Sequence, residues 1–206
     1  MFDGIIFDVD GTIWDSTPVV ENAWKQAFLD NGIDADRVSA DRLKGLFGLP
    51  MDDIIDDLLP DYDEKFRREF GPKCFEYEDE FLRKQSGITY PKLEETLEKL
   101  SKKYKLCIVS NCQAGYIELL FEKTGIGKYF TDHCCPGDTG MLKADNIKYI
   151  SEKNGFKNPV YVGDTQMDAN ACKEAGVPII FAAYGFGKVE EPDFVVRSFE
   201  ELLDIL

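Results

Sequence analysis

The chain divides into two kinds of territory, and that division limits the fold more than any other feature. From Tyr90 onward, helical patterns alternate with short apolar runs. Leu93, Leu97 and Leu100 share one face of a helix expected over 91–100, and Lys105-Leu106-Cys107-Ile108-Val109-Ser110-Asn111 reads as a buried strand. A helix through Ile117, Leu120 and Phe121 is expected to end near Gly125, followed by a strand over 133–135 and a helix over 145–154 with Gly155 at its C-cap. A strand over 159–164, a helix running to about Gly176 and a strand over 178–183 complete the series. This is the βαβ rhythm of a parallel sheet covered by helices, an α/β fold.

The stretch 17–87 breaks that rhythm and carries only helical signals. Thr17 followed by Pro18 suits an N-cap and first helical position, after which Val20, Ala23, Trp24, Ala27 and Phe28 form one apolar face ending at Gly32. Further helices are expected over 36–47, 51–59 and 64–84, with Gly71-Pro72 breaking the last. An all-helical insertion therefore separates the first strand from the rest of the sheet. Its acidic run, Asp52-Asp53 with Asp56-Asp57, reads as a solvated helix face rather than a metal site.

The first strand carries the strongest chemical signal. In Gly4-Ile5-Ile6-Phe7-Asp8-Val9-Asp10-Gly11-Thr12 a buried-type run ends in two carboxylates spaced two apart. On an extended strand that spacing puts both on one face, where they repel unless a cation or a shared proton intervenes. Two other strands also end in polar residues, Ser110-Asn111 and Asp164, and ligands of open parallel sheets bind at that edge. Lys143 is expected in a loop after Gly140. Asp168 follows Asp164 by four residues, so both acids either face one site as a helix begins or simply cap that helix.

Composition narrows the partners. A formal net charge of -15 over 206 residues argues against nucleic acid and anionic membranes, which require basic patches, and favours a small diffusible substrate. No apolar run approaches a bilayer's thickness, and no basic start with a long apolar stretch marks a signal peptide, so the cytoplasm is the expected compartment. Cys74, Cys107, Cys112, Cys134, Cys135 and Cys172 show no C-x-x-C spacing. Cys134 and Cys135 are expected as small buried residues, and the single histidine, His133, as a structural strand residue.

These motifs together resemble the haloacid dehalogenase superfamily, in its phosphatase branch with a helical cap after the first strand. The likeness rests on Asp8-Val9-Asp10-Gly11-Thr12, then Ser110, then Lys143, then Gly163-Asp164-Thr165-Gln166-Met167-Asp168, in that order, with Ala144 where the family often has proline. It implies a Rossmann-like three-layer core over 1–15 and 88–206 and an all-α cap domain over 16–87, hinged near Asp15-Ser16 and Ser86-Gly87-Ile88. It implies a magnesium-dependent phosphatase, similar to phosphoglycolate phosphatase, acting on a small phosphorylated metabolite. Asp8 would be the nucleophile that forms an aspartyl-phosphate, and Asp10 the acid and base. Asp8, the backbone carbonyl of Asp10 and Asp164 would hold Mg2+, supported by Asp168 and Thr12. Ser110, the Asn111 amide and Lys143 would bind the phosphoryl oxygens. Gly45 and Gly48, in the cap loop Gly45-Leu46-Phe47-Gly48-Leu49-Pro50, and neighbouring Lys44 would contact the leaving group, or the loop would be a plain connecting turn.

Other classes fit less well. A dehalogenase has no use for Asp10, since a halide leaves without a proton. A sugar-phosphate mutase similar to β-phosphoglucomutase carries a cap-helix histidine where this chain has Val20. A non-catalytic binding protein on this fold is expected to have lost one of Asp8, Asp10, Lys143 or Asp164, and all four are present. Phosphoglycolate, sugar phosphates, nucleotides and pyrophosphate are handled by similar caps, and the sequence chooses among them no more than it sets the oligomeric state.

Overall fold

The computed structural model describes residues 2–206 and separates the chain into two compact units, Met1–Asp15 with Thr89–Leu206, and Ser16–Ile88. Along the chain, β1 (Gly4–Phe7) and β2 (Trp14–Asp15) precede α1 (Thr17–Asp30), α2 (Ala40–Leu46), α3 (Met51–Leu58) and α4 (Glu64–Lys84). Then come β3 (Ile88–Thr89), α5 (Leu93–Ser101), β4 (Lys105–Val109), α6 (Tyr116–Thr124), β5 (Asp132–Cys134), α7 (Pro136–Thr139) and α8 (Lys143–Asn154). The series closes with β6 (Pro159–Gly163), α9 (Gln166–Ala175), β7 (Ile179–Ala182), β8 (Phe194–Val196) and α10 (Leu202–Ile205).

The sheet of the first unit has six parallel strands in the order β5-β4-β1-β6-β7-β8. β1 sits inside it, with Phe7 level with Ile108 of β4 and with Val162 of β6. Chain order runs outward on one side through β4 and β5, and on the other through β6, β7 and β8, so the direction of winding reverses at β1. Both faces are covered, which is why these strands read as unbroken apolar runs. Ile6, Cys107, Val109 and Tyr161 pack with Ile147 and Ile150 of α8 and with Ala171 and Cys172 of α9. Side chains alternate along β1, and Phe7 stacks on Phe199 at 5.8 Å and meets Phe130 edge-on at 6.0 Å. The fold is thus the three-layer α/β arrangement expected.

The strands and helices of this unit fall close to their expected positions, and Gly155 ends α8 in the left-handed conformation at φ 75°. The strand β8 was not anticipated: it is three residues long, two of them exposed, and gives almost no apolar signal. All six cysteines are free, and Cys134 and Cys135 are buried. No helix among the described residues is long and apolar enough to cross a membrane.

The Ser16–Ile88 unit departs from expectation in three places. Ser16, not Thr17, is the N-cap of α1, which puts Pro18 in the first turn, where its missing N–H has no intrahelical partner to lose. The helix expected over 36–47 is two pieces, a 3-10 turn Ala35–Arg37 and α2, because Ser39 takes up extended backbone and its hydroxyl accepts from the Arg42 amide at 3.2 Å, starting a new helix. The Gly71-Pro72 break does not occur, and α4 runs through it. A proline inside a helix costs about 3 kcal/mol. Phe70, Cys74 and Leu82 are all buried, and Phe70 meets Phe28 at 5.2 Å and stacks on Phe66 at 5.7 Å. At about 1.5–3 kcal/mol for each large buried side chain, that packing outweighs the proline.

Asp52, Asp56 and Asp57 of the acidic run meet arginines on the solvated side of α3, as expected. Arg68 donates to Asp56 at 2.7 Å and lies 3.6 Å from Asp52, and Arg42 donates to Asp57 at 2.8 Å. The apolar face of α1 is buried throughout, and the Trp24 indole donates to the buried Glu78 carboxylate of α4 at 3.0 Å. Trp24→Phe keeps most of the apolar area but removes that donor from a buried charge, at an expected cost of about 2–3 kcal/mol. Urea unfolding of the full chain measures it, and an unchanged midpoint would show that the bond contributes nothing.

Candidate active site

The sheet order brings three of the polar strand ends side by side. β4, β1 and β6 are neighbours, so Ser110-Asn111, Asp8 and Asp164 leave the sheet at the same carboxyl edge, at the point where the winding reverses. That is where an open α/β sheet leaves a crevice. The Asp8 amide still donates to the Val162 carbonyl at 2.9 Å, which ties the first carboxylate to the sheet.

Lys143 joins these groups. It was expected in a loop, but Leu142 adopts extended backbone as the N-cap and Lys143 is the first residue of α8. A cation there opposes the helix dipole. It is held by two carboxylates: Nζ donates to Asp8 Oδ1 at 2.8 Å and to Asp168 Oδ1 at 2.5 Å, with all three side chains buried. It also lies over the Tyr161 ring, 5.5 Å from the centroid, and the Tyr161 hydroxyl is fixed by donating to the Val109 carbonyl at 2.6 Å. Burial alone would lower the Lys143 pKa, but the Asp168 and Asp8 charges more than offset this and hold the ammonium protonated. Burial pushes the Asp8 carboxyl above the usual carboxylate range. Lys143 opposes that rise, the Asp168 charge adds to it, and hydrogen bonds from Lys143 and Ser110 favour the ionised form.

Asp168 does both of the things its spacing allowed. Oδ1 takes the Lys143 ammonium, while Oδ2 accepts from the Asp164 amide at 3.2 Å, the Thr165 amide at 2.9 Å and the Thr165 hydroxyl at 2.7 Å. Thr165 Oγ1 accepts from the Asp168 amide in return, closing a capping box at the start of α9. A structural cap therefore orients a site residue.

Asp164 lies in a slot between two glycines. A β-carbon on Gly11, whose φ is 80°, would fall 2.1 Å from Asp164 Oδ2, and one on Gly185 would fall 2.4 Å from both Asp164 Cβ and the Gly11 carbonyl. Only glycine fits at either position. The Phe186 amide donates to Oδ2 at 2.7 Å and the Thr12 hydroxyl to Oδ1 at 3.4 Å. Burial drives the Asp164 carboxyl well above the usual range, the Asp168 and Asp8 charges add to it, and the Phe186 amide and Lys143 oppose it.

One carboxylate oxygen from each of Asp8, Asp164 and Asp168 lies within 4.8 Å of the others. Three carboxyl groups share one ammonium in a buried place, and every donor is a hard oxygen. That set fits a divalent cation such as magnesium. Asp168 carries the Lys143 ammonium on one oxygen and three donors on the other, whereas Asp164 accepts one bond on each, the Thr12 bond a long one, so Asp8 and Asp164 are the side chains best placed to hold such a cation.

Asp10 lies just beyond, half-buried in a tight turn, and accepts a hydrogen bond from the Tyr116 hydroxyl at 2.9 Å. Its charge and that of Asp8 both reach Cys112, which follows Asn111. Lys44, Gly45 and Gly48 belong to the Ser16–Ile88 unit. Lys44 and Gly45 are in the last turn of α2 rather than in a loop, and Gly48 lies beyond it at φ 95°.

Sequence reading missed Tyr116, Tyr161, Gly185 and Phe186. The segment Ala183-Tyr184-Gly185-Phe186-Gly187 follows β7 at the same sheet edge, and its paired glycines are a signal of close backbone approach. Tyr116 and Tyr161 read only as apolar residues of a helix and a strand.

With this geometry in view, comparison with known proteins is specific. The haloacid dehalogenase-like hydrolase family matches over residues 5–182. A phosphoglycolate phosphatase of Vibrio parahaemolyticus is 31% identical over 223 residues, covering 98% of this chain and 95% of that protein. One of Photobacterium profundum is 28% identical, covering 98% and 94%. Among solved structures, a haloacid dehalogenase-like family hydrolase from Streptococcus pneumoniae superposes with a TM-score of 0.86 at 21% identity, covering 98% of this chain and 97% of that one. A HAD-superfamily hydrolase of subfamily IA from Geobacter sulfurreducens gives 0.76 at 17%, with full coverage of both. Fold, ordered motifs and near full-length similarity agree: the chain is an enzyme of the haloacid dehalogenase-like hydrolase family, in its phosphatase branch.

Proposed function

We propose that this enzyme hydrolyses a small phosphomonoester through an aspartyl-phosphate on Asp8, with magnesium as its cofactor. The observation that carries the reading is the buried Lys143 ammonium bonded at once to Asp8 and Asp168 beside the buried Asp164. A structural ion pair has no use for a third, uncompensated carboxylate. A site that gathers a divalent cation and the dianionic phosphoryl group of a monoester does.

Asp8 attacks phosphorus, its Oδ–P bond forming as the P–O bond to the leaving group breaks. Asp10 gives its proton to the leaving oxygen, then takes one from the water that attacks the aspartyl-phosphate, returning both carboxyls to their starting state. Lys143, the Ser110 hydroxyl and the Asn111 amide hold phosphoryl oxygens, where fixed donors stabilise the charge of the transition state. Asp8, Asp164 and the Asp10 carbonyl would hold Mg2+, with Thr12 and Asp168 fixing those ligands. When bound, the ion offsets the repulsion between nucleophile and phosphate.

In this reading residues 16–87 are the cap domain and residues 1–15 and 88–206 the core, and Lys44, Gly45 and Gly48 contact the leaving group. The named activity of the curated relatives makes phosphoglycolate the first substrate to try.

Phosphate release from a panel of small phosphomonoesters is expected to require magnesium, and Asp8→Asn to lower it by about a thousandfold or more, since an amide is a poor nucleophile. Activity retained in Asp8→Asn would overturn the assignment. A second outcome concerns the cation. Asp164→Asn removes one of the repelling carboxylates, so the metal-free variant is expected to melt above the metal-free wild type. It is also expected to lose the rise in melting temperature that magnesium gives the wild type. Equal magnesium responses would remove Asp164 from the metal site.

A further inference from the structure

Asp10 follows the strand in a turn so tight that its main chain has little freedom. The Ile13 amide bonds the Val9 carbonyl at 2.7 Å, and the Gly11 amide bonds the Trp14 carbonyl at 2.9 Å. The turn fixes the Asp10 backbone but leaves its carboxyl two torsions to explore. An acid that has to deliver a proton to one particular oxygen needs those torsions fixed as well.

A group that holds them comes from α6. Tyr116 is the first residue of that helix, 1% exposed, and its ring packs edge-on against Trp14 at 5.9 Å and 73°. Its hydroxyl donates to Asp10 Oδ1 at 2.9 Å. A tyrosine this deeply buried has only two side-chain torsions, both set by packing, so the phenol is a fixed donor.

We propose that Tyr116 is a positioning residue for Asp10, an inference that rests on the acid and base reading of Asp10 given above. With Oδ1 committed to the phenol, the transferable proton resides on Oδ2. In the first step the Oδ2–H bond breaks, the leaving oxygen gains the proton, and the resulting carboxylate keeps the Tyr116 hydrogen bond on Oδ1. In the second step Oδ2 takes a proton from water. The Tyr116 proton is never transferred, and its bond selects which oxygen carries the chemistry.

The test compares wild type, Tyr116→Phe, Asp10→Asn and the double variant, with magnesium, on an alkyl phosphomonoester and on p-nitrophenyl phosphate. A positioned acid contributes roughly 10²–10⁴-fold, and loss of its orientation is expected to forfeit about tenfold to a hundredfold of kcat/KM on the alkyl ester. The aryl ester, whose leaving group needs no proton, is expected to lose at most about threefold in kcat/KM, which reports transfer to Asp8 and not the later hydrolysis common to both esters. Adding Tyr116→Phe to Asp10→Asn is expected to cost nothing further on the aryl ester. Equal losses on both esters in Tyr116→Phe, a further loss in the Asp10→Asn background, or no loss at all would overturn the positioning role. If Asp10→Asn itself lost equally on both esters, the acid reading and this inference would fall together. That result is visible in the single variant, whatever Tyr116→Phe does.

Discussion

The bonds from Lys143 to Asp8 and Asp168 are the interaction on which the rest of this site depends. Without the ammonium, three carboxylates would face one another out of reach of water, and breaking a buried pair of this kind typically costs about 3–5 kcal/mol. Much of the surrounding architecture keeps those bonds in register. β1 and β6 set Asp8 and Asp164 side by side, the capping box of α9 aims Asp168, and the Tyr161 ring underlies the ammonium. Lys143 stands at a helix N-terminus, a poor place for a cation, and two carboxylates keep it there.

Charge in this site is unfinished in a way that carries information. The ammonium compensates one carboxylate, and the Phe186 amide and Thr12 hydroxyl give Asp164 only dipoles. A structural core would have replaced such a group with an apolar one. The paired acids of α3 make the contrast: Asp56 and Asp57 meet arginines at the surface, where such bonds contribute little and imply no ligand.

Much of this was legible in the sequence because two physical signals agree along it. Buried parallel strands read as continuous apolar runs, and β1, β4 and β6 end abruptly in residues that have no place in a core, Asp8, Ser110 and Asp164. The illegible parts share a cause. Phe186 contributes a backbone amide, which leaves no trace in residue type. Gly185 matters through a contact with Gly11 and Asp164 from distant parts of the chain. Tyr116 looks like one more apolar helix residue until the fold brings its hydroxyl to Asp10. Packing also overrode local preference in α4, where the burial of Phe70 and Cys74 carried a helix through Pro72.

The central claim is that Asp8, held at the inner end of this network, is the atom donor to phosphorus. Rapid acid quench during turnover of a phosphomonoester with magnesium, followed by mass spectrometry of the peptide that contains Asp8, tests it most directly. The account predicts one phosphoryl group on Asp8, formed faster than phosphate is released and removed by alkali. Phosphate released within a single turnover, with Asp8 unmodified at every quench time, would contradict it.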